Sequence, residues 1–410
     1  MESSAAPLHR SPFNIAVIAS GLGFFIDAFD LFLFNVYRIP SLRELGLSGA
    51  DLTRTGEFIL SVQMAGMMIG GILSGVLGDK FGRVSVLFAS ILLYSVANIA
   101  NGFITDTGVY AVIRFLAGVG LAGELGAGIT LVSESMTVEH RGYGTILVAT
   151  LGALGAVSAG LVSDYIPWRT AFIAAGVVGL GLLLLRMKSM ETGMFRRTKT
   201  EGIRRGSFVV LLRSPRLLLT YIACILTGVP IWYSVGLLIT LTPEIATQHG
   251  IAGLKLSLCF ILFQAGITVG DLTSGVLSQL LQSRKYVLLG FMAFAVGATV
   301  YHFLCIGASM QLYVSSLLMG LGCGYLSVFV TTTAEHFGTN VRVLVTATVT
   351  NFMRGAVTLL IPFRQWMQGA FGLTLTESLA LTGIVVWCAA VISTVLLPDT
   401  YGKNLDYVEE

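Results

Sequence analysis

The stretch RFLAGVGLAGELG, Arg114 to Gly126, decides the fold. Its Gly118-x-Gly120-x-x-Gly123 spells the glycine fingerprint of a dinucleotide-binding loop, which would make the chain a soluble α/β protein. That fingerprint has meaning only with a strand before the glycines, a soluble helix after them, and an acid some twenty residues on that reaches a ribose. Here the glycines lie inside one apolar run, where small residues let membrane helices approach closely. Arg114 and Glu124, which bracket them, are then charges at membrane depth.

Composition favours the membrane reading. Of 410 residues, 55% are hydrophobic and only 11% charged, too few charges to cover two or three soluble domains. The net charge is +3, with the basic residues gathered in a few loops and not on one continuous face, which argues against a nucleic-acid partner. Five cysteines stand singly in apolar runs, without metal-ligand spacing, and are expected to pack as small apolar side chains. The N-terminal MESSAAPLHRSPFN has no small-residue cleavage site after the first apolar run, so that run is expected to remain as a helix.

Apolar segments long enough to cross a hydrocarbon core of roughly 30 Å recur along the chain. Twelve are expected, near 13–37, 56–77, 84–104, 109–132, 143–164, 168–187, 216–241, 255–281, 286–305, 311–333, 343–363 and 376–397. The long polar linker, METGMFRRTKTEGIRRGSFVVLLRSPR, divides them six plus six. The expected domains are an N-terminal bundle over 1–187, a linker over 188–215 and a C-terminal bundle over 216–410. Lys80, Arg83, Arg141, Arg284, Lys285, Arg342 and the linker arginines fall on one side, with Arg38, Arg43 and Arg54 opposite. The positive-inside rule therefore places both termini in the cytoplasm.

A weak internal repeat accompanies this division. Gly118-x-Gly120 followed by Glu134-x6-Arg141 in the fourth span is matched by Gly320-x-Gly322 followed by Glu335-x6-Arg342 in the tenth. Gly75-x-Leu77 and Gly275-x-Leu277, each before a basic turn, close the second and eighth spans. Duplicated bundles with a site between them are a transporter architecture.

Between the second and third spans stands GVLGDKFGRV, Gly75 to Val84, a tight turn whose acid and bases can hold helix ends together in one state and release them in another. On its residues alone it is equally a capped basic turn. The pattern resembles the G-x-L-x-D-[RK]-x-G-R signature of the major facilitator superfamily, matched by Gly75, Leu77, Asp79, Lys80, Gly82 and Arg83. RFLAGVGLAGE and SESMTVEHRG are similar to that family's fourth-span arginine–glycine and acid-to-arginine motifs. LPDTYGKNLDYVEE is similar to the ending of its sugar-porter-type members. GFFIDAFDLFLF resembles the T-D-x-Y-D-L-F stretch of phosphate–proton symporters and neighbouring organic-ion and metabolite–proton symporters. The resemblance implies an all-α membrane protein of twelve transmembrane helices in two pseudo-symmetric six-helix bundles. It also implies gating roles for Gly75, Asp79, Lys80, Gly82, Arg83, Glu134 and Arg141.

Six ionisable residues lie well inside the expected spans: Asp27, Asp30, Arg114, Glu124, Asp271 and Arg354. Each costs on the order of 2.5–3.5 kcal/mol at a helix centre, so they should face an interior and find partners. Asp27 and Asp30 share a helical face and cannot both ionise easily when close, which suits a proton-coupling role. Glu124 and Arg114 are the further proton-coupling candidates, the alternative for both being a structural ion pair. An arginine is never neutralised, so Arg354 needs an anion, either Asp271 or a substrate. Organic-anion members of the family carry a cavity arginine on this helix, and the resemblance implies an anionic substrate. Asn351, Trp232, Tyr233, Gln264 and Asp271 complete the expected substrate site, with Gln63 as a further polar candidate.

The expected function is proton-coupled secondary transport of a small polar, anionic metabolite by alternating access, with symport favoured. Proton-driven export and a non-transporting receptor are the alternatives. An enzyme would need grouped nucleophile and base, and an ATP-driven pump a phosphate-binding loop; neither pattern is present. No cofactor and no metal are expected. The expected partners are a small-molecule substrate, protons and the lipid bilayer, with the chain working as a monomer in a bacterial inner membrane.

Overall fold

The computed structural model describes residues 15–81, 83–123, 141–191, 214–304 and 306–403. These form helices, with no strand among them. The first bundle comprises α1 (Ile15–Glu44), α2 (Gly49–Phe81), α3 (Arg83–Asn101), α4 (Thr107–Leu121), α5 (Arg141–Ser163) and α6 (Trp168–Glu191). The second begins with α7 (Pro215–Tyr233), which continues as a π-helical turn over Ser234–Ile239 and is followed by the short α8 (Thr242–Gln248). It continues with α9 (Leu256–Leu280), α10 (Lys285–Leu304), α11 (Ser309–Cys323), α12 (Leu326–His336), α13 (Thr339–Gly355), α14 (Val357–Phe371) and α15 (Leu375–Leu396). Seven helices among the described residues are long and apolar enough to cross a membrane by length and composition.

The helix ends follow local chemistry. Asp106 caps α4 by accepting from the backbone N–H groups of Gly108 (2.8 Å) and Val109 (3.0 Å). Thr374 and Glu377 make a reciprocal capping box at the start of α15. Exposed Phe58, Val112, Leu184, Leu359 and Leu396 put apolar surface on the outside of the bundles, which suits lipid and not water.

With lipid outside, burial of apolar surface no longer drives one helix onto another, and close backbone approach takes its place. A Cβ at Gly118 would collide with the Gln63 carbonyl of α2, and one at Gly120 would lie 2.8 Å from the Tyr94 nitrogen of α3. The second bundle repeats the device: Gly320 sits on the Phe263 carbonyl of α9, and Gly322 on Ala295 of α10. The glycines of RFLAGVGLAGELG therefore seat α4 against two neighbours, and the same packing recurs six spans later.

Between bundles, α13 and α14 lie on α2, and α9 lies on α5. The side of the molecule that carries the α1–α2 connection is called below the Glu57 face, and the opposite side, where α2 ends, the Gly75 face.

Four spans depart from expectation, the second by starting at Gly49 instead of near 56, which makes Arg54 helical. The first runs on to Glu44 instead of stopping near 37. Arg38, counted above among loop residues, is helical and fully buried, because its charge has an acidic partner inside the protein. The tenth span is broken between Cys323 and Leu326, and the eleventh at Ala356, two residues after Arg354.

Candidate functional site

Asp30 (α1) and Arg114 (α4) are both fully buried and form an ion pair at 3.4 Å within the first bundle. Arg114 has two further acceptors, Asn98 Oδ1 at 3.1 Å and Gln63 Oε1 at 3.3 Å. The rings of Phe34 and Phe172 lie 5.6 Å and 5.3 Å from its guanidinium carbon, within cation–π range. Asp27, one turn before Asp30, is buried and is the carboxylate whose charge acts on Arg354 of α13. The two aspartates share a helix face yet serve different arginines, one inside its own bundle and one in the other.

Arg354 is 7% exposed, with the Trp232 ring of α7 at 5.5 Å and its Nε without a hydrogen-bond partner. Hence the guanidinium lies between the bundles with donor capacity to spare, which an oxyanion can accept in a forked geometry. Gly355, beside it, packs against Met68 of α2, and Asn351, one turn earlier, donates to the Ala122 carbonyl at the end of α4 at 3.1 Å. Asn351 thus joins the bundles just below the arginine.

The other expected substrate residues lie elsewhere. Asp271 accepts from the Ser327 backbone N–H (3.0 Å) and hydroxyl (3.3 Å), so its carboxylate caps the second half of the broken tenth span and leaves Arg354 to Asp27. The break itself creates that demand, since unpaired N–H groups at a helix start need an acceptor. Tyr233 points away from Trp232, donating to the Leu379 carbonyl at 2.7 Å and lying on Gly383 of α15. Gln264 lies half-buried on α9.

Of the gating motif, Gly75 closes on Leu344 of α13; Asp79 and Lys80 lie on the last turns of α2, and Arg83 and Arg141 begin α3 and α5. Gly82, Glu124 and Glu134 lie outside the described residues. The repeat of this motif in the second bundle is described. Arg284 pairs with Glu335 at 3.3 Å, Thr400 donates to the same carboxylate at 2.6 Å, and Asp399 accepts from Ser283 and the Arg284 backbone. Arg342 bonds the Ala334 and Phe337 carbonyls at the end of α12.

Four ionic residues on the Glu57 face escaped the sequence reading. Arg364 of α14 donates through one nitrogen to both Glu57 oxygens of α2 at 2.7 and 2.6 Å, and Gln365 adds a bond at 2.8 Å. Both charged side chains are about 2–3% exposed. Arg38 of α1 meets Glu244 of α8 at 2.6 Å and the Thr240 carbonyl, at the end of the π turn, at 2.9 Å. Thr358 adds a bond to the Ser61 carbonyl at 3.0 Å, and Ser257 one to Asp164 at 3.0 Å. Every one of these contacts joins the two bundles. The only signal in the sequence was an acid or arginine near the same-side ends of the second and eleventh spans.

The profile of the Major Facilitator Superfamily matches residues 20–243. A Haemophilus influenzae protein named for metabolite transport is 27% identical, the match covering 95% of this chain and 97% of that protein. The niacin transporter of Acinetobacter baylyi is 31% identical over 42% of this chain and 39% of its own. Among solved structures, a D-xylose–proton symporter superposes with a TM-score of 0.71 at 14% identity, covering 96% of this chain and all of that one. Two six-helix bundles with the charged groups gathered inside and between them, the signature turn after α2 and this profile agree: the chain belongs to the Major Facilitator Superfamily and is a membrane transport protein, not an enzyme.

Proposed function

We propose that the chain is a proton-coupled symporter of a small organic anion, working by alternating access around Arg354. The observation that carries this reading is the buried guanidinium between the bundles, flanked by Trp232 and faced by Asp27. A substrate carboxylate takes the forked donors of Arg354 and stacks its planar part on Trp232. A proton on Asp27 or Asp30 removes a competing negative charge, so proton and substrate bias the same two-state equilibrium. The niacin transporter among the relatives, named for a pyridine carboxylate, supports an anion of this size.

Alternating access on this reading rocks a bundle over 1–187 against one over 216–410, joined by the 188–215 linker. The Asp79, Lys80 and Arg83 turn and Glu134 with Arg141 act as latches on the Gly75 face. By the positive-inside rule that face is cytoplasmic, in a bacterial inner membrane, with a single chain as the working unit.

Uptake of labelled nicotinate into proteoliposomes under an imposed proton gradient, followed by competition with other small carboxylates, phosphate and sugars, tests the substrate class. Arg354→Ala should weaken anion affinity by about tenfold to a hundredfold, or about 1.4–2.8 kcal/mol, at unchanged protein yield. Undiminished affinity, or accumulation of sugars in preference to anions, would overturn it.

A further inference from the structure

Arg114 makes three polar contacts, and its contact with Asp30 is the longest of them, at 3.4 Å against 3.1 Å to Asn98 and 3.3 Å to Gln63. A guanidinium only donates, so each amide must turn its oxygen toward it. That leaves Gln63 Nε2 and Asn98 Nδ2 without hydrogen-bond partners, along with Asp30 Oδ2 and Arg114 Nη2, all buried. A cluster that spent its whole capacity on one ion pair would not look like this.

We infer that Gln63 and Asn98 are positioning residues that hold Arg114 in place when Asp30 takes up a proton, and so set how readily it does. This rests on the reading of Asp30 as a proton-loading group. Neutralising one member of a buried ion pair strands the other, and the penalty opposes loading. The two amide oxygens are dipoles that do not change when the proton arrives, nor do the faces of Phe34 and Phe172. They keep the arginine solvated by protein in both protonation states. Asp30 Oδ2, the oxygen turned away from Arg114, is open to receive the proton without any contact being broken.

The other titratable groups around Asp30 are few. Tyr110 of α4 shares the charges of Arg114 and Asp30, with Arg169 of α6 beyond it. Asp27 is on the same helix, and Arg354 of α13 lies beyond that. Facing from α2 and α3 are the neutral Gln63 and Asn98, and the Asn98 amide also acts on the Asp30 carboxylate directly. The part of α5 from Leu147 to Ser163, which packs along α1, carries no titratable side chain. Gln63 is therefore the group through which substitution can tune Asp30 by way of Arg114 alone, without adding or removing a charge.

The test needs no known substrate. The purified protein in lipid vesicles is titrated with acid while infrared difference spectra record the C=O stretch of protonated carboxyls, the Asp30 band being the one that disappears in Asp30→Asn. Gln63→Leu, which removes a neutral acceptor of Arg114, should move the midpoint of that band to lower pH, by about one unit or tenfold in proton concentration. Gln63→Met, close in shape but without the amide oxygen, should move it the same way, and it decides the matter if the leucine variant fails to fold. A midpoint that stays in place in the folded variants overturns the positioning role alone. A carboxyl spectrum that Asp30→Asn leaves unchanged overturns the proton-loading reading and this inference with it.

Discussion

The buried pairs Arg114–Asp30 and Arg364–Glu57 use the same chemistry and are both closed to solvent, but they are anchored differently. The first joins α1 to α4 inside one bundle, and the second joins α2 to α14 across the two. If the bundles rock as bodies, the first pair persists through every state and the second breaks in each cycle. The geometry agrees with that division of labour. The crossing pair is short and two-pronged with a glutamine in support, while the internal pair is long, loosely met and cushioned by neutral groups. A contact that must break gains from strength, because it defines one state; a contact that must tolerate a proton gains from slack.

The sharpest way to break the comparison is Glu57→Gln. It leaves Arg364 buried without its countercharge, a change that costs about 3–5 kcal/mol, but only in the state where the Glu57 face is closed. Alkylation of a cysteine placed at Ser61 should therefore accelerate strongly, and the double variant Glu57→Arg with Arg364→Glu should restore the slow rate. An unchanged rate would show that the pair does not hold the face shut.

Contacts confined to one bundle supply the controls. Asp271→Ala removes the acceptor that caps α12 and should lower thermal stability by about 1 kcal/mol while leaving the alkylation rate alone. The smallest effect is expected at Glu44, half exposed at the end of α1 and held by Arg169 at 2.8 Å and Trp168 at 2.5 Å. The Arg169 bond, helped by Trp168, keeps its carboxyl below the usual carboxylate range. A carboxylate with a depressed folded value contributes stability above its ordinary range and loses it as pH falls through the lowered one. Glu44→Gln should therefore cost less than about 1 kcal/mol at neutral pH and nothing in acid, read by thermal melting at the two pH values.

How far the sequence could be read divides along the same line. Asp27, Asp30, Arg114 and Arg354 stood out because a charge inside an apolar run is costly wherever it points, and the structure buries all four. Arg38, Glu57, Glu244 and Arg364 did not, since they lie at or just beyond the ends of the apolar runs, where a charge can be assigned to water. Their pairing across the bundles, 307 residues apart for Glu57 and Arg364, is a property of the assembled fold. Trp232 and Tyr233 show the limit at short range: neighbours on a helix point about 100° apart, so one faces Arg354 and the other α15. For Asp271 the missing knowledge was the break after Cys323, which the run of glycines there hinted at but periodicity did not locate.

The π-helical turn over Ser234–Ile239 adds a constraint of another kind. A π turn holds one residue more than an α turn, so it absorbs that residue without turning the helix further, and deleting one residue there would leave an α turn with everything beyond it in nearly the same phase. Thr240 and Glu244, the two groups that meet Arg38, lie immediately beyond it. The closure of the Glu57 face is thus written partly in residue count: a deletion in the regular helix of α7 would rotate Thr240 and Glu244 by about 100° away from Arg38, whereas the π turn can give up one residue and keep the clasp.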